Sequence, residues 1–265
     1  MSSDDLKIGG IDLSTPLLLA PMAGISDLPF RKLCRNYGAS IAFAEMVASD
    51  PSLRNTPKSL LRCDFRGEPG PRAAQLVGND PERMAQSARY LVDQGVQIID
   101  INLGCPVKKL TSKCQGAWLL QDLDLIARLF EAVIDAVNVP VTVKIRSGWR
   151  SVDNVAVEVA QIAQQAGLAA VTVHGRSAQC GYDQPAEYQT VSQVKRSVDI
   201  PVIANGDIDS AQKAMEVLSK TQVDGLMIGR GVFGRPWIFR EICAMITEGK
   251  ELKPVALSEI HAILI

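Results

Sequence analysis

The sequence predicts an α/β fold, a (β/α)₈ barrel of the TIM type, and three observations carry that reading. Short apolar runs alternate with amphipathic stretches about every 25 to 35 residues, eight times in succession. The chain has 265 residues, 47% of them hydrophobic but only 5% aromatic, so its core is mainly aliphatic, as in the layered interior of such barrels. No linker interrupts the series before Glu248. A doubly wound open sheet is the alternative, because alternation alone does not show closure. The barrel is assigned to residues 1–249. Residues 250–265 read as the start of a truncated C-terminal helical region, since Leu257, Ile260, Ile263 and Leu264 have the spacing of one helix face.

Leu17-Leu-Leu-Ala20 is the first strand, stopped by Pro21-Met-Ala-Gly24; Ser26 or Asp27 then caps a helix with Pro29 in its first turn, running to about Tyr37. Ser40 to Met46 is the second strand, followed by an irregular segment and a short helix near Lys58 to Arg62. The turn cluster Gly67-Glu-Pro-Gly-Pro71 precedes a third strand, Arg72 to Val77. Asn79 or Asp80 caps a helix with Pro81 in first position and Met84, Ala88, Leu91 and Val92 on one face. The fourth strand, Ile98-Ile-Asp-Ile-Asn102, runs into Leu-Gly-Cys-Pro106, where Gly and Pro stop the sheet and leave a thiol at its carboxyl end. Val107 to Gln121 is a long connection without strong periodicity, holding Lys108, Lys109 and Lys113. Asp122 starts a helix with Leu125, Ile126, Leu129, Val133 and Ile134, and Val139 to Arg146 is the fifth strand. Asp153 or Asn154 begins the next helix and Gly167 ends it; Ala169 to His174 is the sixth strand. A helix near Ala186 to Ser197, a strand at Ile200 to Ala204, a helix from Asp209 to Lys220, a strand at Asp224 to Ile228 and a helix from about Pro236 to Thr247 complete the series.

A formal net charge of -1, with a pI near 6.2, provides no global basic field, so any nucleic-acid contact must rest on a local patch. Six cysteines form no CxxC pair, and with only two histidines a metal site is not expected. Reduced thiols in a cytoplasmic protein are the simplest reading of a chain with this much apolar core. Met1-Ser-Ser-Asp-Asp5 has neither a basic n-region nor an apolar h-region, so no signal peptide or membrane span is expected.

Barrels of this kind carry their chemistry at the carboxyl ends of the strands. Those ends hold Pro21, Met22 and Ala23, then Glu45, Gln75, Asn102 with Cys105, Lys144 with Arg146, His174 with Arg176, Asn205-Gly-Asp207 and Gly229-Arg230. Cys105, in a loop between Gly and Pro, is the candidate reactive thiol; a buried structural cysteine is the alternative. Gly206 and Gly229 provide backbone that an anion can approach, and Arg230 adds a bidentate charge. Gly229-Arg-Gly-Val-Phe-Gly234 satisfies the dinucleotide pattern GxGxxG, but no second strand with a ribose-binding acid follows. A phosphate clamp at one side of the rim, a lysine near its centre and a cysteine opposite suit a flavin mononucleotide across the mouth. Lys144 would then meet negative charge on the reduced ring and Gln75 its pyrimidine edge.

Ala20-Pro-Met-Ala-Gly24, Asp100-Ile-Asn-Leu-Gly-Cys-Pro106 with Lys108 and Lys109, Val143-Lys-Ile-Arg146, Val173-His-Gly-Arg176, Pro201-Val-Ile-Ala-Asn-Gly-Asp207 and Met227-Ile-Gly-Arg230 stand in that order. With Gly234-Arg-Pro-Trp-Ile-Phe239 they resemble the flavin-dependent tRNA-dihydrouridine synthases, most nearly the bacterial B-type branch, from about Leu6 to Gly249. The resemblance implies reduction of the C5=C6 bond of specific uridines in tRNA, with FMN as cofactor and NADPH as reductant. It puts the FMN contacts on Pro21, Met22, Ala23, Gln75, Lys144, His174, Asn205, Gly206, Asp207, Gly229 and Arg230. Cys105 falls on the catalytic cysteine, which protonates C5 while hydride from flavin N5 reaches C6; an ordinary thiol, of pKa about 8.5, is mostly protonated at neutral pH. Asn102, Lys108, Lys109, Arg146 and Arg176 are the expected substrate contacts, and their cations lean towards a polyanion. Trp118 stands where the family usually has a small residue and Gln184 where a glycine is common. Relatives continue into a helical domain that helps to hold tRNA. A monomer is favoured. Two other functions stay open: an FMN-dependent dehydrogenase of a free dihydropyrimidine, and an RNA-binding barrel inactive through loss of its C-terminal domain.

Overall fold

The structure, a computed structural model, describes residues 6–153, 155–181 and 183–264. Met1 to Asp5, the cap candidate Asn154 and the side chain of Leu264 lie outside the described residues.

The chain opens on a hairpin of β1 (Lys7–Ile8) and β2 (Ile11–Asp12) that is not foreseen from the sequence, because two-residue strands carry no periodicity. Gly9 turns it at a φ of 56°, and a Cβ there would lie 2.4 Å from Pro140 Cγ. Ile8 and Leu13 pack on Leu18, Ile41, Ala73, Ile98, Ala170, Ile203 and Met227, which plugs the amino end of the barrel.

The remaining elements follow in order: β3 (Leu17–Leu19), α1 (Leu28–Asn36), β4 (Ile41–Phe43), β5 (Val47–Ala48), α2 (Pro57–Arg62), β6 (Arg72–Val77), α3 (Pro81–Asp93), β7 (Ile98–Leu103), α4 (Lys108–Thr111), α5 (Leu123–Ile134), β8 (Val141–Arg146), α6 (Ala156–Ala166), β9 (Ala170–His174), α7 (Gln189–Ser197), β10 (Val202–Asn205), α8 (Ala211–Thr221), β11 (Gly225–Ile228), α9 (Ile238–Glu248) and α10 (Leu257–Leu264). The strand order is β4-β3-β11-β10-β9-β8-β7-β6-β5, and β4 also bonds to β6, with Ala42 opposite Arg72. Eight parallel strands therefore close into a (β/α)₈ barrel, and the open sheet is excluded.

The second strand does not run unbroken to Met46 as expected: it stops at Phe43, and β5 resumes beside the end of β6, with Val47 opposite Leu76. The break leaves Glu45 at the rim, where its Oε2 accepts the Gly24 N–H at 2.7 Å. The connection from Val107 to Gln121 is also more ordered than expected, holding α4 and a 3₁₀ turn at Gly116–Gln121 that buries Ala117, Leu119 and Leu120. Pieces this short show no period in a sequence.

Asp27, not Ser26, caps α1 by accepting the Phe30 N–H, because the Ser26 hydroxyl is engaged by the Met22 backbone. Asp80 and Asp122 cap α3 and α5. Asp153 does not cap α6; it accepts the Arg150 N–H and pairs with that guanidinium. Helix α7 starts later than expected because the Ala186 N–H is held by Asp207 and the Glu187 N–H by Gly175 O.

Strand alternation sorts the side chains. One face, including Leu19, Leu76, Ile101, Val143 and Val171, packs on the helices. The other fills the barrel and changes character along it: above the apolar plug, Gln75, Asp100, Asn102, Thr142, Thr172, His174 and Asn205 form a buried polar layer. Among the described residues no helix is long and apolar enough to cross a membrane, and no cluster of metal-binding side chains occurs.

Candidate active site

The thiol loop is built from the end of β7. Asn102 Oδ1 accepts the N–H groups of Gly104, at 3.1 Å, and Cys105, at 2.9 Å. Its Nδ2 donates to Gln75 Oε1 at 2.6 Å, and Gln75 Nε2 donates to Asp100 Oδ2 at 2.7 Å. Thr142 Oγ1 donates to the other oxygen of Asp100, also at 2.7 Å. Burial pushes the Asp100 carboxyl up to about 6 against these hydrogen bonds and the Lys144 charge. On the far side of the half-buried Cys105, the Ala117 N–H reaches the Cys105 carbonyl at 3.0 Å. Gly116 permits that approach: its φ is 62°, and a Cβ on it would lie 2.6 Å from the same oxygen. Asn102, expected as a substrate contact, is thus buried and turned to the protein, where it holds the thiol loop.

Lys144 Nζ donates to Asn205 Oδ1 at 2.8 Å, and Asn205 Nδ2 donates to Met227 O at 2.8 Å, so side chains tie three strands together above the plug. Burial, reinforced by Arg146, lowers the Lys144 ammonium to about 8. His174 is buried too; burial, then Lys144, Arg146, Arg176 and Arg230, hold its pKa far below the ordinary range, which keeps the ring neutral.

Arg146 and Arg176, also expected to face substrate, are each only 3% exposed. Arg146 donates to Gly104 O and Ser177 O, both at 2.8 Å, bracing the thiol loop against the loop after β9. Arg176 donates to Gln184 O at 2.7 Å and to Asp207 Oδ2 at 2.6 Å. Asp207 sits at a φ of 49° and also accepts from Ala186 N–H and from Arg230 Nη2, the latter at 3.2 Å. Burial pushes the Asp207 carboxyl up, but these partners outweigh it and leave the pKa below the usual value. The Arg230 side chain is 51% exposed at the rim.

The two rim glycines differ. A Cβ on Gly206, whose φ is 121°, would lie 2.8 Å from Ala186 Cβ, so the protein's own packing requires glycine there. A Cβ on Gly229 would meet only Ala20 Cβ, at 3.9 Å, and would enter open space. Pro21 and Met22 are half-buried and Ala23 exposed just beyond Ala20, whose N–H bonds to Ile228 O. Lys108 and Lys109 are exposed on α4. Trp118 packs partly against the core, and Gln184 serves the site through its carbonyl. Asp100 and Thr142 are site residues that the sequence does not single out; the available signal is a lone acid two positions before Asn102, hence on the same strand face.

The sequence profile of the family described as dihydrouridine synthase matches residues 18–264. This chain belongs to the dihydrouridine synthase family. It is 48% identical over 260 residues to the tRNA-dihydrouridine synthase B of Shewanella oneidensis, covering 98% of this chain and 81% of that one. It is 50% identical over 260 residues to the protein of the same name from Pseudomonas syringae pv. tomato, with 98% and 77% covered. Among solved structures it resembles a 2-naphthoyl-CoA reductase complex at a TM-score of 0.70 and 10% identity, covering 91% of this chain and 51% of that one. It also resembles the Amycolatopsis orientalis BexX/CysO complex at 0.60 and 18%, covering 95% and 98%. Likenesses at such identities bear on the barrel alone. In this dihydrouridine synthase the polar layer, the thiol loop and the open backbone at Gly229 lie on one end of that barrel, the carboxyl end of its strands.

Proposed function

We propose that this dihydrouridine synthase reduces the C5=C6 bond of specific uridines in tRNA, with FMN as its cofactor and NADPH as the reductant. The observation that carries the reading is the half-buried Cys105 thiol, on a loop anchored on both sides at the mouth of a barrel whose central cation is Lys144. FMN, when bound, supplies hydride to C6 of the uracil and is renewed by NADPH. The chain's own part is to bring a proton to C5, and the Cys105 thiol is the donor. Lys144 offers a partly desolvated ammonium to negative charge at the centre of the mouth.

The residues fit the cofactor. The open space beside Gly229 is a cradle that a Cβ would fill, and Arg230 adds a guanidinium at its edge. Gln75 has one N–H left after its bonds to Asp100 and Asn102, available to a pyrimidine edge. His174, Asn205, Gly206, Asp207 and the Pro21-Met22-Ala23 turn complete the FMN contacts. Lys108 and Lys109 take RNA phosphates, whereas Asn102, Arg146 and Arg176 serve substrate by holding the loops around it. Reduced cysteines and this substrate suit the cytoplasm, and a monomer is the simplest state.

The test is Cys105→Ala. It should keep bound FMN and its reduction by NADPH yet slow dihydrouridine formation in tRNA by about 10²- to 10⁴-fold. Turnover at the wild-type rate would sink the proposal.

A further inference from the structure

We propose that Asp100 is a positioning residue for the Cys105 thiol, acting through the side-chain amides of Gln75 and Asn102; this rests on the reading of Cys105 as the proton donor.

Donor and acceptor chemistry constrains these side chains. A primary amide can be turned over, so nothing in Gln75 or Asn102 alone decides which end faces which neighbour. An ionised carboxylate only accepts. With Asp100 at one end taking hydrogen bonds from Thr142 Oγ1 and Gln75 Nε2, Gln75 must turn its oxygen to Asn102. Asn102 must then offer Nδ2 to Gln75, which leaves Oδ1 for the N–H groups of Gly104 and Cys105. One charge, with two side chains between it and the loop, thereby imposes the same polarity that the backbone N–H groups of Gly104 and Cys105 demand at the other end, so every bond between them runs one way. Strand register delivers the parts: Gln75 lies opposite Asp100, and Asp100 opposite Thr142, with Asn102 two residues further on the same face. If Asn102 turned over, its amide hydrogens would oppose two backbone N–H groups and the loop would lose its anchor. An ionised acid sealed in this layer is otherwise costly, and the relay is the work that its charge performs.

The experiment uses FMN-loaded protein and three variants: Asp100→Asn, Asn102→Asp, and the two together. In Asp100→Asn the amide at position 100 can face Gln75 either way round. Amide hydrogen exchange in peptides spanning residues 103–106 should quicken by about 10-fold or more while exchange in β10 stays as in wild type. Turnover on tRNA per bound flavin should fall by about 10- to 100-fold with the KM for tRNA unchanged, because a misplaced proton donor affects the chemical step. The double variant moves the carboxylate next to the loop: it still accepts from Gly104 and Cys105, Gln75 turns over to donate to it, and the amide at position 100 donates to Gln75. Its exchange at 103–106 should return towards the wild-type rate, below both single variants.

Wild-type exchange and turnover in Asp100→Asn would overturn the relay, as would a double variant no better protected than the singles. If Asp100→Asn does not hold FMN, the comparison of Asn102→Asp with the double variant decides the question. Cys105→Ala is measured alongside. A slow Cys105→Ala with a normal Asp100→Asn rejects the relay alone, whereas a normal Cys105→Ala rejects the proton-donor reading on which it rests.

Discussion

Lys144 Nζ and Asn205 Oδ1 lie 2.8 Å apart across the barrel mouth, although their strands, β8 and β10, are separated by β9. The bond fixes the ammonium but does not offset its desolvation, as the drop of its pKa to about 8 records. The fold therefore keeps a costly cation at the centre of its site, as sites that trade stability for activity do.

Lys144→Met should accordingly melt at a higher temperature than wild type at pH 7 when both are free of flavin. In the unfolded chain the lysine keeps its ordinary value of 10.5, against about 8 in the fold. Below about pH 8 it is charged in both states and the penalty is full. Between about 8 and 10.5 the unfolded chain binds the extra proton, so wild-type stability rises with pH relative to the variant, and above that range the difference is gone. Thermal melts from about pH 7 to 11 check this; a gap that does not change with pH would clear Lys144 of the cost.

Gly229→Val and Gly206→Val should fail in different ways. The first meets only Ala20 Cβ, at 3.9 Å, with no clash, so it should still fold and purify colourless for want of FMN. The second meets Ala186 and a positive φ, and should lose about 1–3 kcal/mol of stability besides. Flavin absorbance and a melt on each variant suffice. A yellow, fully loaded Gly229→Val protein would refute the phosphate cradle.

These glycines show what a sequence can tell. Both stand at strand ends, so both read as backbone that a phosphate can approach; only the path of the chain distinguishes Gly206, wedged against Ala186, from Gly229. The eight barrel strands are readable because each is an apolar run ended by Gly, Pro or a polar group. The break at Ala44–Met46 and the β1–β2 hairpin are too short to leave a pattern. At the site, residue type marks Asn102, Arg146 and Arg176 as polar groups near the rim. It cannot say that their hydrogen bonds run back into the protein, since those partners come from distant strands and loops.

Glu68→Gln should be among the more damaging substitutions outside the site. Arg31 and Glu68 are paired at 2.7 Å with both side chains fully buried, and Arg31 also donates to the carbonyls of Ser26 and Asp64. Removing one charge strands the other, at a cost of about 3–5 kcal/mol. Arg31 bonds to Ser26 O, and the Ser26 hydroxyl bonds to the Met22 backbone, so the Pro21-Met22-Ala23 turn should loosen as well. Denaturant unfolding measures the first effect; a loss under about 1 kcal/mol would mean that the pair is not sealed from water.

Substitution of Lys108, Lys109 and Lys113 by alanine should weaken tRNA binding by removing charge alone. The three are exposed within one turn and a half of chain beside the thiol loop, whereas the nearby Arg146 and Arg176 are spent on loop carbonyls and Asp207. With a net charge of -1, the protein has no diffuse basic field to compensate. For every phosphate that the variant no longer neutralises, the plot of log affinity against log salt should become shallower by ~0.7–0.9, while flavin content stays the same. Arg146→Ala should behave in the opposite way: the loop brace goes, stability and turnover fall, and the salt slope is retained. Binding titrations at several salt concentrations separate the two. A triple lysine variant with the wild-type slope would move the RNA path away from α4, and a shallower slope in Arg146→Ala would return that arginine to the substrate.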